Sequence, residues 1–108
     1  MKKIVMLQKS TCGTCKKEKE YLKRVKIAFD EFDIVENPPS REFLEKNIDS
    51  DNLDAYINKH SKPYREFDLA RKKVSKSELI DLMLRDPILI KRPILIDGKA
   101  VYFGYTEI

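Results

Sequence analysis

The fold is indicated most clearly by residues 4–15, Ile4-Val5-Met6-Leu7-Gln8-Lys9-Ser10-Thr11-Cys12-Gly13-Thr14-Cys15. Its apolar first part predicts a buried strand at residues 3–7, and the charged sequence after it has the spacing of an amphipathic helix at residues 15–26. The only two cysteines of the chain therefore lie where a strand gives way to a helix. Unpaired N–H groups at a helix N-terminus favour the reactive thiolate. We expect Cys12 to be reactive and Cys15 to be able to close a disulfide with it.

A C-x-x-C motif beside a strand and a helix is typical of thioredoxin-like redox centres. Two other interpretations stay open. The pair could be half of a zinc site, but tetrahedral zinc takes four ligands, and the chain offers no further cysteine and one histidine, His60, in a polar stretch. The pair could also be two small, inert, buried residues. We favour redox chemistry over both.

Composition limits the class of protein. The chain has 108 residues, of which 42% are hydrophobic, and this predicts one domain, residues 1–108, with its own core. The net charge is +4, and the basic stretches are interleaved with glutamates, so we expect a solvated surface and no direct nucleic-acid binding. No segment approaches the ~20 apolar residues of a membrane span, and the first apolar run is shorter than a signal-peptide core. We expect a cytoplasmic protein with no membrane partner, in which a disulfide is transient.

The remaining elements are predicted from caps, breakers and turn residues. A second strand is expected at residues 31–36, before Pro38, and short helices are expected after Ser40 and after Asp49 or Ser50. Residues 60–73 are interpreted as a polar connection.

The last third of the chain has the clearest signals. Ser75 and Glu78 have the spacing of a capping box, so a helix should begin there and end before Pro87. Asp97-Gly98 predicts a hairpin between strands at residues 94–96 and 100–103. The order of the elements predicts an α/β fold with a mixed sheet.

Three segments carry a resemblance to a known family. Residues 79–96 (LIDLMLRDPILIKRPILI), 61–66 (SKPYRE) and 34–40 (IVENPPS) resemble the corresponding stretches of the arsenate reductase (glutaredoxin-type) and Spx-like family. The resemblance implies a thioredoxin-like mixed β-sheet with flanking helices and a helical insertion.

The resemblance also implies a set of site residues. It implies a reactive cysteine at Cys12, an arginine facing it at Arg92 and a cis proline at Pro93 beside the cysteines. Supporting positions are Thr14, inside the motif, and Lys62 and Arg65, in the second matching segment.

Three functions follow from the resemblance. The first is a thiol-dependent oxidoreductase in which Cys12 attacks, Cys15 resolves and Arg92 stabilises the thiolate. It would hold no cofactor and be reduced by glutathione, glutaredoxin or thioredoxin. The second is an Spx-like regulator whose disulfide controls binding to the RNA polymerase α subunit. The third and least favoured is arsenate reduction, because only one of the three oxyanion-binding arginines of those enzymes is matched, at Arg92.

Members of this family continue into a terminal helix that covers one sheet face. Few residues follow the predicted hairpin here, so we expect no such helix. An apolar patch should then be exposed, formed by Val5, Leu7, Leu95, Val101 and Phe103. Such a patch favours self-association or lower stability.

Overall fold

Four strands form one mixed sheet in a computed structural model that describes residues 3–108. They are β1 (Ile4–Gln8), β2 (Phe29–Asp33), β3 (Ile94–Asp97) and β4 (Ala100–Phe103), in the spatial order β2-β1-β3-β4. β1 is parallel to β2 and antiparallel to β3, and β3 and β4 form an antiparallel hairpin. Both the mixed sheet and the hairpin confirm the predictions.

Four α-helices accompany the sheet: α1 (Gly13–Arg24), α2 (Arg41–Asn47), α3 (Lys62–Glu66) and α4 (Lys76–Arg85). Short 3₁₀ helices lie at Leu53–Tyr56 and Pro87–Leu89. The described chain divides into two compact units, of which the first contains residues 3–37 and Arg92–Ile108 and the second contains Pro38–Lys91. The first unit holds the sheet and α1, and the second is the predicted helical insertion.

The core of the first unit lies between the sheet and α1. Ile4, Met6, Leu22 and Leu95 form a buried cluster, and four partly buried side chains pack against it: Tyr21, Ile27, Phe29 and Tyr102. Leu22 supplies the contact from α1, since it lies on the buried face of that helix. The α1 helix that carries the cysteine motif is therefore fixed to the central strands.

The expected apolar patch is wrong in two of its five residues. Leu95 pairs with Met6 and Tyr102 in the sheet, so strand alternation directs it towards the same core as Met6. Leu7 is also buried. Val5, Val101 and Phe103 are half-buried and fall outside the exposed large apolar side chains of residues 3–108, which are Val25, Phe32, Val35 and Ile108. Self-association stays a prediction.

The second unit is organised around α2 and α4, which pack against each other. Both begin where the sequence predicts. Ser40 Oγ accepts the N–H of Phe43 at 3.1 Å, and Ser75 with Glu78 forms the complete capping box. An Arg41–Asp81 ion pair joins the two helices.

Three local predictions differ from the structure. β2 ends at Asp33, because its carboxylate Oδ1 accepts the N–H groups of Val35 and Glu36 and turns the chain there. The helix expected after Asp49 or Ser50 is only the 3₁₀ helix Leu53–Tyr56. The expected polar connection contains α3, because the buried Ser61 hydroxyl caps it by accepting the N–H of Tyr64 at 3.3 Å.

Candidate redox site

Cys12 occupies the N-cap position of α1. Its Sγ accepts a hydrogen bond from the backbone N–H of Cys15 at 3.4 Å, and its carbonyl accepts the N–H of Lys16 at 3.1 Å. The sulfur thus takes the place of the oxygen that usually caps a helix. Because of this cap, α1 begins at Gly13, two residues before the predicted start. The structure places a partly exposed sulfur at the positive end of the helix dipole.

Cys15 has the opposite environment, because its side chain is fully buried. The pKa of the Cys15 thiol is raised to about 12, mainly by burial and also by the hydrogen bond and the charge of Cys12. A backbone hydrogen bond from Lys9 and the charge of Arg92 both lower the pKa of Cys15. Both cysteines are free thiols in this structure. At neutral pH the Cys15 thiol therefore stays protonated.

Arg92 lies two residues before β3, and its positive charge acts on the Cys15 thiol. Its Nε is buried and has no hydrogen-bond partner among residues 3–108. A buried N–H group without a hydrogen-bond partner is unfavourable, so an acceptor is expected next to it. The Arg92 Nε is therefore available to an acceptor atom of a thiolate, a bound anion or a substrate.

Pro93 follows Arg92 across a cis peptide bond, which confirms that prediction. Its carbonyl accepts the N–H of Gly104 at 2.8 Å. The first residue of the turn after β4 is thus hydrogen-bonded to the residue before β3.

The supporting residues are distributed over both units. Thr14 is exposed in the first turn of α1. Lys62 and Arg65 are exposed on α3 in the second unit, where the Arg65 guanidinium donates to the carbonyl of His60 at 3.3 Å. A role for Lys62 and Arg65 beside the cysteines stays a prediction.

Sequence reasoning missed Glu18, which it assigned to the solvated face of α1. Its side chain is fully buried, Oε1 accepts the N–H of Thr106 at 2.7 Å, and Oε2 has no hydrogen-bond partner among the described residues. Burial raises the pKa of the Glu18 carboxyl, the Thr106 N–H opposes this, and the charge of Glu107 adds to it. Helical spacing could have identified Glu18, because residues 15, 18 and 22 share the buried face of α1.

Within residues 3–108, no three His, Cys, Asp or Glu side chains are grouped so that they could hold a metal ion. The same part of the chain contains no helix of the length and apolarity needed to cross a membrane.

The geometry agrees with comparisons to known proteins. Residues 7–107 match the ArsC family. The chain belongs to the ArsC family. The Bacillus subtilis protein YusI is 37% identical to it over 100 residues, which cover 89% of this chain and 85% of YusI. The Streptococcus mutans global transcriptional regulator Spx is 30% identical over 106 residues, which cover 96% of this chain and 77% of Spx.

Solved structures of the ArsC family share this fold. An ArsC family related protein from Bacteroides fragilis has a TM-score of 0.85 and 28% sequence identity, and the match covers 97% of this chain and 93% of that one. The arsenate reductase from Vibrio cholerae has a TM-score of 0.77 with 22% identity over 94% of this chain and 89% of that one, a likeness of fold alone. The thioredoxin-like α/β fold predicted from the sequence is confirmed.

Proposed function

We propose that this chain is a cytoplasmic thiol–disulfide oxidoreductase that works through Cys12 and Cys15. Cys12 attacks a disulfide or another oxidised sulfur, and the resulting mixed disulfide is released when Cys15 attacks Cys12. Glutathione, glutaredoxin or thioredoxin would return the pair to the thiol state. The observation that carries this proposal is the contrast between a partly exposed Cys12 sulfur at a helix N-terminus and a fully buried Cys15 thiol.

The hydrogen bond between the cysteines supports this division of roles. The Cys15 N–H donates to Cys12 Sγ, and such a bond is stronger when the sulfur carries a negative charge. Burial keeps Cys15 protonated, so the two thiols do not compete for the first attack. Cys15 can still reach Cys12 after that attack, since Cys12 is the N-cap of the helical turn that contains Cys15.

The positive charge of Arg92 supports the same proposal. A guanidinium is charged at every relevant pH and stabilises an adjacent thiolate or the leaving thiolate of a substrate. Its Nε, which has no hydrogen-bond partner in the described part of the chain, is the atom that would make this contact.

The test is the alkylation rate of each cysteine at neutral pH, measured by mass spectrometry after limited iodoacetamide treatment. We expect Cys12 to react at least about tenfold faster than Cys15, since the thiolate is the reactive form. Arg92→Ala should slow Cys12, whereas Arg24→Ala, at the end of α1, should leave it unchanged. Equal, slow labelling of both thiols that is insensitive to Arg92 would overturn the proposal.

A regulatory role is the second candidate, because relatives at 30% identity over 96% of this chain are named global transcriptional regulator Spx. In this case the Cys12–Cys15 disulfide would control binding to the RNA polymerase α subunit. Retention of that subunit by the oxidised and not by the reduced protein would favour regulation. Turnover with a thioredoxin or glutaredoxin system, without retention in either state, would favour the enzyme.

Arsenate reduction is the third candidate. The solved arsenate reductase from Vibrio cholerae supports it only through a shared fold. The sequence resemblance matches one oxyanion-binding arginine, Arg92, and each missing charge-assisted hydrogen bond is worth about 1.5–3 kcal/mol. We expect no useful turnover of arsenate with glutathione, measured as arsenite release.

A further inference from the structure

The net charge of the chain is concentrated in residues 59–73, which we call the basic segment. It holds six basic and two acidic residues and therefore carries a net charge of +4. The whole chain has 22 basic and 18 acidic residues, so the rest of the chain holds 16 of each sign and has no net charge. The six basic residues of the segment are Lys59, Lys62, Arg65, Arg71, Lys72 and Lys73.

The charge of the second unit outside the basic segment has the opposite sign. Pro38–Lys91 without residues 59–73 holds five basic and eight acidic residues, a net charge of −3. The second unit is therefore positive in one short stretch and negative elsewhere. A charge distribution of this kind attracts an oppositely charged partner and fixes the orientation in which it binds.

Local hydrogen bonds give the basic segment a defined shape. The N–H of Leu69 donates to the carbonyl of Tyr64 at 3.2 Å and closes the end of α3. The N–H groups of Arg71 and Lys72 both donate to the carbonyl of Asp68, at 3.2 and 3.1 Å. The basic residues after α3 thus belong to a hydrogen-bonded turn that follows the helix directly. A surface that is ordered in advance loses less conformational entropy when a partner binds.

The basic side chains of the segment are available to a partner. All six basic residues are exposed. Two of them form ion pairs, Lys59 with Asp54 at 3.4 Å and Arg71 with Asp68 at 3.3 Å. The other lysines of the segment form no ion pair with any of residues 3–108, and these are Lys62, Lys72 and Lys73.

The remaining residues of the segment favour a protein partner over a phosphate surface. Glu66 and Asp68 lie among the basic residues, and a protein can place basic groups opposite them, whereas a nucleic-acid backbone carries negative charge alone. Aromatic residues and arginine are enriched in protein interfaces. The segment adds three half-buried apolar side chains to its arginines: Tyr64, Phe67 and Leu69.

A membrane surface fits the segment less well. Helices that lie on a bilayer insert large apolar side chains below the headgroups. The exposed large apolar side chains of residues 3–108 all lie outside residues 59–73.

We propose that the basic segment is a docking surface for a protein partner with an acidic surface. Carboxylates of the partner pair with the lysines that have no ion pair, and its apolar side chains contact the half-buried rings. This inference goes beyond the proposed redox chemistry and does not depend on it, because that chemistry uses Cys12, Cys15 and Arg92.

The test uses fluorescently labelled poly-L-glutamate as the acidic polypeptide, with binding measured by anisotropy at low ionic strength. The segment variant combines Lys62→Glu, Lys72→Glu and Lys73→Glu. The control variant has the same net charge and changes three exposed lysines of the first unit, Lys16→Glu, Lys23→Glu and Lys99→Glu. We expect the segment variant to bind at least about tenfold more weakly than the wild type. The control variant should stay within about threefold of the wild type, the effect of net charge alone.

Lysine acetylation of the wild-type protein gives a test that needs no variant. Mass spectrometry measures the acetylation rate of each lysine with and without poly-L-glutamate. We expect the acidic polypeptide to protect Lys62, Lys72 and Lys73. The three lysines of the control variant should react at the same rate in both samples.

Three results would overturn the proposal. The first is an absence of binding to poly-L-glutamate by the wild type, and the second is equal weakening by the two folded variants, which would show a response to net charge only. The third is tighter binding, through the same lysines, to duplex DNA or to phosphatidylglycerol vesicles at an equal concentration of negative charge. That result would make the partner a phosphate surface. Circular dichroism checks that both variants are folded.

Discussion

The backbone N–H of Cys15 donates to the Sγ of Cys12 at 3.4 Å, so one cysteine caps the helix that contains the other. This contact links the stability of α1 to the state of the Cys12 sulfur. It also places the two sulfur-bearing residues in one turn, with one partly exposed and one buried.

Replacing Cys12 by alanine should destabilise the reduced protein. The variant loses the N-cap acceptor of α1, and we expect a loss of about 0.5–1 kcal/mol in the free energy of unfolding, since sulfur is a weaker acceptor than the usual oxygen. Cys12→Ser, which supplies an oxygen, should be at least as stable as the wild type. Urea denaturation under reducing conditions measures both, and equal stability of the two variants would contradict the capping role.

Cys15 should become reactive at a lower pH when Cys12 is replaced by serine. The charge of Cys12 raises the pKa of the Cys15 thiol, and serine carries no charge, so the substitution lowers the pH at which the Cys15 thiolate forms. In the wild type, thiolate formation at Cys15 is suppressed until the pH approaches about 12. Alkylation rates of Cys15 between neutral and alkaline pH test this, and an unchanged or upward-shifted profile in Cys12→Ser would argue against it.

Glu18 should impose a pH dependence on folding stability. Burial raises the pKa of its carboxyl in the folded protein above the ordinary value of 4.5, so the folded state binds the proton more tightly than the unfolded chain. The stabilisation that comes from this tighter proton binding is fully present below the pKa of Glu18 in the unfolded chain. It is lost as the pH rises through the pKa of Glu18 in the folded protein. Stability should fall over this window in the wild type and less so in Glu18→Gln. Melting temperatures measured across this pH range, with Glu20→Gln as control, test whether stability falls as the pH rises.

Truncation of Leu22 should be the most damaging change on α1. Leu22 is fully buried in the cluster with Ile4, Met6 and Leu95, and removal of a buried leucine side chain costs about 2–5 kcal/mol. Val25→Ala, three residues later and 42% exposed, should cost less than about 1 kcal/mol. Chemical denaturation separates the two, and similar losses would mean that α1 is not docked as described.

Loss of the capping box should weaken α4. Ser75→Ala removes the acceptor for the Glu78 N–H and should lower the free energy of unfolding by about 1 kcal/mol. Ser77→Ala, at an exposed position in the first turn, should stay within about 0.5 kcal/mol of the wild type. A Ser75→Ala protein as stable as its Ser77→Ala control would show that the cap contributes little.

Elements set by short-range contacts were predictable from the sequence alone. The turn at Asp97-Gly98, the capping box of α4 and the strand–helix turn at the cysteines each depend on residues a few positions apart. Gly98 has a positive φ of 61°, which glycine adopts most easily. The Asp97-Gly98 pair therefore predicts the hairpin from the sequence alone.

Burial was decided by the tertiary structure. Glu18 and Thr106 are 88 residues apart, and only the folded chain brings the carboxyl under the N–H that holds it. Leu95 faces the α1 core because of its register with Met6, which no local pattern in β3 specifies. The fold likewise buries the Nε of Arg92 where no other described residue accepts a hydrogen bond from it. The local sequence places two cysteines at a helix start, whereas long-range contacts bury Cys15 and leave Cys12 partly exposed.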